Sequence, residues 1–258
     1  MTGRAALRAE DGVRIDAHHD SGPPDLAIVV AHGFTGSWRR PAMRRTVTVL
    51  GRHAGVVTFD FRGHGGSGGA STVGDQEILD LAAAVDWAHK LGYRAVATLG
   101  FSMGAAVAVR HAAQHGTVAA VAAVSGPSRW YYRGTPPMRR VHWVIERPVG
   151  RLVCRLALRT RIATGGWDPP PAPPHAVADR ISPAPLLVVH GDADTYFPLE
   201  HAHALYAAAG EPKELWVEPG LGHAGSAAPP ALLERIGTWL TRAVVPAGGT
   251  GNQRELRP

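Results

Sequence analysis

A single serine stands between two glycines at residues 100–104, Gly-Phe-Ser-Met-Gly, after an apolar run and before an alanine-rich one. If the apolar run is a strand and the alanine-rich stretch a helix, the chain must turn sharply between them, and Gly100 and Gly104 leave room where side chains would collide. Such a turn lifts the Ser102 hydroxyl clear of a sheet and puts the next backbone N–H at a helix N-terminus, where negative charge is favoured. Ser102 then has two readings, a nucleophile or a hydroxyl that caps the helix. A free serine hydroxyl is unreactive, so a nucleophile needs a base in reach and a third group to orient that base. Both types follow in the chain. Asp192 and Asp194 stand in the acid-bearing stretch Asp-Ala-Asp-Thr-Tyr-Phe-Pro after the apolar run 185–189, and His223 stands between Gly222 and Ala224. Serine, then aspartate, then histidine is one of the chain orders in which acyl-transfer triads occur. The residues alone do not choose between the two aspartates.

Positioning these groups requires a scaffold, and the apolar pattern supplies one. Residues 13–19 alternate like a half-exposed strand, whereas 26–33, 55–61, 95–100, 118–126 and 185–191 are short continuous apolar runs. Continuous runs suit strands buried on both faces, as in a parallel sheet. Between them, residues 75–90 place Ile78, Leu81, Val85 and Ala88 at helical spacing ahead of Gly92, and residues 231–244 supply Leu232, Leu233, Ile236, Trp239 and Leu240 for a last amphipathic helix. The alternation predicts an α/β fold, a doubly wound and mostly parallel sheet.

One segment breaks the alternation. Residues 127–179 are irregular and hold three of the seven tryptophans and two of the five tyrosines. This is too long for an ordinary connection, so a functional insertion over the sheet edge is expected, a small helical cap. Trp130, Tyr131, Trp143 and Trp167, with Tyr132 beside them, are candidates to line a substrate pocket there. A helix over 148–160 would put Arg151, Arg155 and Arg159 on one stripe and turn Val149, Leu152, Val153 and Leu156 elsewhere, so that the helix docks by its apolar side and shows a basic outer rim. From Ser128 to Arg161 nine arginines face the single acid Glu146, a local charge of +8 in a chain whose net charge is +6.

The 258 residues, 45% of them hydrophobic, suit one globular domain spanning 1–258. The lone Cys154 has no partner for an internal disulfide, the first twenty residues lack an apolar leader core, and no stretch reaches membrane-spanning length. A cytoplasmic protein without a membrane span is expected, with residues 246–258, polar and glycine-rich, as a disordered tail.

With the motifs assembled, the chain resembles the α/β-hydrolase superfamily over about residues 12–242, in particular its esterase and lipase-like members with a short cap. The pieces that carry the resemblance are His-Gly-Phe-Thr-Gly-Ser (32–37), Asp-Phe-Arg-Gly-His-Gly-Gly-Ser (60–67), the pentapeptide at 100–104, His-Gly-Asp-Ala-Asp-Thr-Tyr-Phe-Pro (190–198) and Gly-Leu-Gly-His-Ala-Gly (220–225). In family loops of the form His-Gly-x-x-Asp-x-x-x-Pro the acid lies four residues before the proline, which selects Asp194 over Asp192. The resemblance implies that Ser102 attacks an acyl carbonyl, that His223 moves its proton, and that Asp194 orients the imidazole. It implies an oxyanion hole made by the backbone N–H groups of Phe34 and Met103, with His32 and Gly33 shaping the first loop. The implied activity is cleavage of a carboxylic ester or thioester through an acyl-enzyme, without a cofactor.

Rival readings are weaker on the residues. His-Ala-His (201–203) and the His18–His19 pair lack the spacing of a metal site, so no metal is expected. Gly-His-Gly-Gly-Ser-Gly (63–68) matches a dinucleotide fingerprint, but no helix opens at its third glycine, so its glycines are expected to line a pocket wall instead. The arginines come without a nucleic-acid module, and no nucleic acid is expected; the expected partner is a small acyl substrate, which the arginines would favour if it carried an anionic group. An acyltransferase or cofactor-free perhydrolase would use the same triad, and a non-catalytic binding protein would have no need of all three residues.

Overall fold

Every continuous apolar run becomes a strand because each is covered on both sides. In the computed structural model, which describes residues 2–244, the chain begins with β1 (Gly3–Arg8), β2 (Arg14–Asp20) and β3 (Leu26–Ala31), then α1 (Pro41–Leu50), β4 (Gly55–Phe59), α2 (Glu77–Lys90), β5 (Ala95–Phe101), α3 (Met103–His115) and β6 (Ala120–Val124). After β6 come α4 (Pro136–Glu146), α5 (Pro148–Ala157) and two short 3-10 turns at 174–176 and 178–181. The chain closes with β7 (Leu186–Gly191), α6 (Glu200–Ala208), β8 (Lys213–Glu218), α7 (Ala224–Ala227) and α8 (Pro230–Val244). The eight strands form one sheet in the order β1-β2-β4-β3-β5-β6-β7-β8. β1 and β2 run antiparallel to their neighbours and the rest are parallel. The fold is the expected mostly parallel α/β sheet.

The side-chain period of two assigns each strand to two cores. Along β3, Ala27, Val29 and Ala31 pack with α2 and α3 through Leu81, Val85, Val107 and Val109, while Leu26, Ile28 and Val30 pack with α1 and α8 through Val47, Leu50, Leu233 and Ile236. The connection from β3 runs to β4 on one side, and the next crosses back past β3 to β5 on the other. That makes a topological switch, and the crevice outside the C-terminal ends of β3 and β5 is where open α/β sheets bind ligands. Both Phe34 and Ser102 follow those two strand ends.

The excursion between β6 and β7 holds two helices, and only α5 had a helical pattern legible in advance. α4 starts where Thr135 Oγ1 accepts the Met138 N–H, with Pro136 in the first turn, and its hydroxyl also donates to the Tyr196 carbonyl at 2.9 Å. Pro148 ends the one helix and opens the next. α5 does not dock by its apolar side. Gly150 and Cys154 are its only buried residues, and a Cβ on Gly150 would lie 2.6 Å from Val144 Cα, so small side chains let the two helices approach and the large apolar ones face outward. Trp143 is corrected with them. It is 49% exposed and outside the cavity, because Met138, Val141, His142 and Ile145 form the inner face of α4.

The glycines of residues 63–68 are also used differently from expectation. They do not line the cavity. Added Cβ atoms at Gly65 and Gly66 would meet Asp60 Oδ2 at 2.0 Å and Asp16 Oδ2 at 2.5 Å, so the loop wraps two buried carboxylates. Arg39 bridges both at 2.6 and 3.1 Å, and Trp38 donates its ring N–H to Asp16 and its backbone N–H to Asp60. This network anchors the chain that leaves β3. The tail at 246–258 lies outside the described residues.

Several histidines are buried as neutral rings. Burial, with a neighbouring His64 or His115, pushes His32 and His111 down to about 3, and burial beside Arg129 pushes His201 down to about 4. In the unfolded chain each takes its proton near pH ~6.5, so between there and their folded values the unfolded state binds more protons. Stability therefore falls on acidification, by about 1.4 kcal/mol per pH unit for each ring. Urea unfolding at about pH 7 and about pH 5 should show this slope, reduced by about one proton in His111→Leu, since neither His111 ring nitrogen has a hydrogen-bond partner among the described residues; a midpoint independent of pH would contradict it.

Candidate active site

The turn from β5 into α3 is built on close approach. A Cβ on Gly100 would lie 2.2 Å from the Gly104 carbonyl oxygen, and one on Gly104 would lie 2.3 Å from that of Ala31 and 2.6 Å from that of His32. Ser102 sits between them at φ 52° and ψ −117°, a conformation that costs a non-glycine residue on the order of 1–3 kcal/mol and persists only where its surroundings impose it. The imposing contacts are the Ser102 N–H to the Val124 carbonyl at 2.9 Å and the Ser102 carbonyl, which accepts from Ala105 and Ala106. Its side chain caps nothing. Instead Ser102 Oγ lies 3.0 Å from His223 Nε2.

His223 reaches that position from the loop after β8. Its Nδ1 faces both oxygens of Asp194, at 3.0 and 2.8 Å. Burial alone would raise the Asp194 carboxyl, but the His223 ring and the N–H groups of Phe197 and Tyr196 outweigh it and hold the group below the usual carboxylate value. An ionised Asp194 can only accept, so the proton on His223 is on Nδ1, Nε2 is free to accept, and the serine hydroxyl donates to it. The Tyr196 ring stacks on the imidazole, centroids 4.3 Å apart. Asp192, the other candidate acid, is exposed and accepts the Gly220 N–H at 2.6 Å, which braces the loop that carries His223.

The loop after β3 brings Phe34 to the same place. Gly33 is close to the nucleophile candidate, since a Cβ there would lie 3.2 Å from Ser102 Cβ. The Gly36 N–H closes a turn onto the Gly33 carbonyl at 2.9 Å, and Thr35 takes φ 61°. Two neutral imidazoles hold this turn. His32 accepts the Phe61 N–H at Nε2 and gives its Nδ1 proton to the Gly33 carbonyl at 2.7 Å. His64, which burial keeps below its ordinary value, accepts the Thr35 N–H at 3.1 Å and donates to the Arg62 carbonyl. The peptide groups on both sides of Phe34 are thereby fixed. The backbone N–H groups of Phe34 and Met103 donate to no acceptor among the described residues, and both residues line the cavity that Ser102 faces.

Two positioning residues escaped the sequence reading. His64 lay inside a glycine-rich stretch read for its glycines. Ser125, at φ 50° after β6, accepts the Ala224 N–H on its hydroxyl at 3.0 Å and so pins the residue next to His223; no spacing rule points to it.

The cavity measures about 1230 Å³ and is lined by His32, Gly33, Phe34, Ser102, Met103 and His223 on the sheet side. Trp130, Tyr131 and Trp167 line it from the excursion. Trp130 and Trp167 are held there by indole N–H bonds to the Pro171 and Thr72 carbonyls. This arrangement can activate a hydroxyl, hold the resulting anion against two free N–H groups, and seat an apolar group of some length.

The turn itself is testable without any assay of chemistry. Gly104→Ala should lower the free energy of unfolding by about 3 kcal/mol or more, because the clash is with backbone carbonyls that cannot give way. Gly3→Ala, where nothing lies within 4 Å of the new atom, should be near neutral; equal urea midpoints for the two variants would refute the close-approach argument.

Known proteins share this architecture. A model of the Alpha/beta hydrolase family matches residues 28–235. A protein of Mycobacterium tuberculosis (strain H37Rv) named Uncharacterized protein Rv2307c is 30% identical over 233 residues, an alignment that spans 84% of this chain and 70% of that one. Among solved structures, the esterase Pf2001 of Pyrococcus furiosus superposes with a TM-score of 0.75 at 26% identity and covers 94% of this chain and 91% of its own. The alpha/beta hydrolase GrgF of Penicillium sp. sh18 superposes with a TM-score of 0.71 at 19% identity, covering 95% and 99% of the two chains, a likeness of fold. With the family model spanning most of the residues and the strands, crossover and cavity arranged as described, the chain belongs to the alpha/beta hydrolase family.

Proposed function

We propose that the protein is a serine hydrolase that cleaves a carboxylic ester or thioester through an acyl-enzyme, with Ser102 as nucleophile, His223 as general base and acid, and Asp194 as the group that orients it. The observation that carries this reading is the unbroken chain from Ser102 Oγ to His223 Nε2 at 3.0 Å and from His223 Nδ1 to Asp194 at 2.8 Å, opening into an apolar cavity. The esterase among the solved relatives supports it.

In the first half-reaction Ser102 Oγ attacks the acyl carbon while its proton passes to His223 Nε2. The carbonyl oxygen takes the negative charge and is met by the Phe34 and Met103 N–H groups, the second of which adds the favourable end of the α3 dipole. Collapse breaks the bond to the leaving oxygen or sulfur, which receives the His223 proton. Asp194 stays ionised throughout and stabilises the imidazolium. In the second half-reaction water gives its proton to His223 and its oxygen to the acyl carbon, and Ser102 is released with its proton restored. An alcohol or peroxide entering in place of water would make the same site an acyltransferase or perhydrolase, and product analysis with a competing alcohol separates these outcomes.

Labelling with a fluorophosphonate probe should modify the parent protein and leave Ser102→Ala unlabelled. On p-nitrophenyl esters of graded chain length, Ser102→Ala should lose about four to six orders of magnitude in kcat and Asp194→Asn about 10⁴-fold, through the wrong imidazole tautomer. Equal labelling of parent and Ser102→Ala would end the assignment. His64→Ala frees the Thr35 N–H and loosens the loop beneath Phe34, so kcat should fall by about 10²-fold with little change in KM; an unchanged kcat would remove His64 from its positioning role.

A further inference from the structure

α5 presents its apolar face to solvent. Val149, Leu152, Val153 and Leu156 recur at the spacing of one helix face, and they are 62, 53, 48 and 72% exposed. Tyr131, Trp143 and Leu158 lie on the same excursion with exposures of 56, 49 and 38%. Among the described residues, Val217 is the one other large apolar side chain left this open. A helix of a globular domain ordinarily buries such a face, and a contiguous exposed patch marks an interaction surface.

The charges around this face say what would cover it. Arg155 flanks it on α5, and Arg147 and Arg159 stand at its two ends. None of these three side chains has a hydrogen bond or ion pair among the described residues. By contrast Arg151 is spent on the Ile145 and Glu146 carbonyls, and Arg133 pairs with Glu146. A second copy meeting this face would set one arginine cluster of +8 against another. A nucleic acid would satisfy the arginines and leave the apolar row in water. An anionic bilayer satisfies both, with acyl chains for the apolar face and phosphates for guanidinium groups that snorkel upward.

We propose that the α4–α5 excursion docks on the surface of an anionic lipid bilayer, with α5 lying in the headgroup plane, Val149, Leu152, Val153 and Leu156 below it, and Arg147, Arg155 and Arg159 on lipid phosphates. No helix of the described residues is long and apolar enough to cross a membrane, so the contact is peripheral. Leu158, which follows α5 directly, is exposed and also lines the cavity, so docking sets the cavity mouth near the lipid. The inference goes beyond the proposed reaction and does not rest on it.

Co-sedimentation with vesicles tests it directly. The full chain should bind vesicles of phosphatidylglycerol and phosphatidylcholine at least about tenfold more tightly than phosphatidylcholine alone, and salt of about 0.5 M should weaken the binding. Leu152→Ser with Leu156→Ser, and separately Arg155→Glu with Arg159→Glu, should each lower the partition about tenfold. Both double variants should keep the parent melting temperature and its turnover of a soluble short-chain ester. Ser102→Ala should bind vesicles like the parent, so failure of the catalytic assignment leaves this measurement standing. Absence of binding by the parent, equal binding to both vesicle types, or a dimer in sedimentation velocity that Leu152→Ser with Leu156→Ser dissolves without vesicle binding would each overturn the proposal.

Discussion

The site depends on one steric constraint, the approach of the first turn of α3 to the end of β3. Where a Cβ on Gly104 would touch the Ala31 and His32 carbonyls, there is room only for backbone against backbone. That approach fixes how far Ser102 can relax, holds it at positive φ, and leaves its hydroxyl pointing into the cavity instead of back along the helix. It also sets the Met103 N–H beside the loop that carries Phe34. The strain at Ser102 is small beside the hydrophobic stabilisation of two full cores, which is why a fold of this size can hold it.

Around that fixed point, loops from separate strands are tied to one another by hydrogen bonds that leave each functional group a single orientation. Ser125 holds Ala224, Asp192 holds Gly220, and the N–H groups of Tyr196 and Phe197 hold Asp194. On the opposite side the neutral rings of His32 and His64 do the same for the turn at Phe34. Buried imidazoles suit this task because a neutral ring offers one donor and one acceptor at fixed angles, and the low dielectric that keeps it neutral also strengthens both bonds.

Much of this was legible in the sequence, and the parts that were not have physical reasons. The parallel strands announced themselves as continuous apolar runs because both faces are buried, and Ser102, Asp194 and His223 stood in order after strand ends. β1 escaped because a largely exposed edge strand such as Gly3–Arg8 carries little apolar signal. The choice of Asp194 over Asp192 came from likeness to a family, and only the fold shows why the two differ, one buried against His223 and the other bracing Gly220. The orientation of α5 was misread because periodicity reveals that a helix has an apolar face, never which way that face looks. What turned it outward was Gly150 and Cys154, whose smallness sets the packing distance to α4.

That manner of attachment separates two kinds of duty along the chain. Residues at the ends of β3, β5, β6 and β7 each serve both the packing of the sheet and the reactive centre, so a change there disturbs both. α5 is joined through Gly150, Cys154 and the Arg151 guanidinium on α4 carbonyls, and its outward apolar positions serve neither duty. The outer face of α5 can therefore change without touching the contacts that hold Ser102, His223 and Asp194 together.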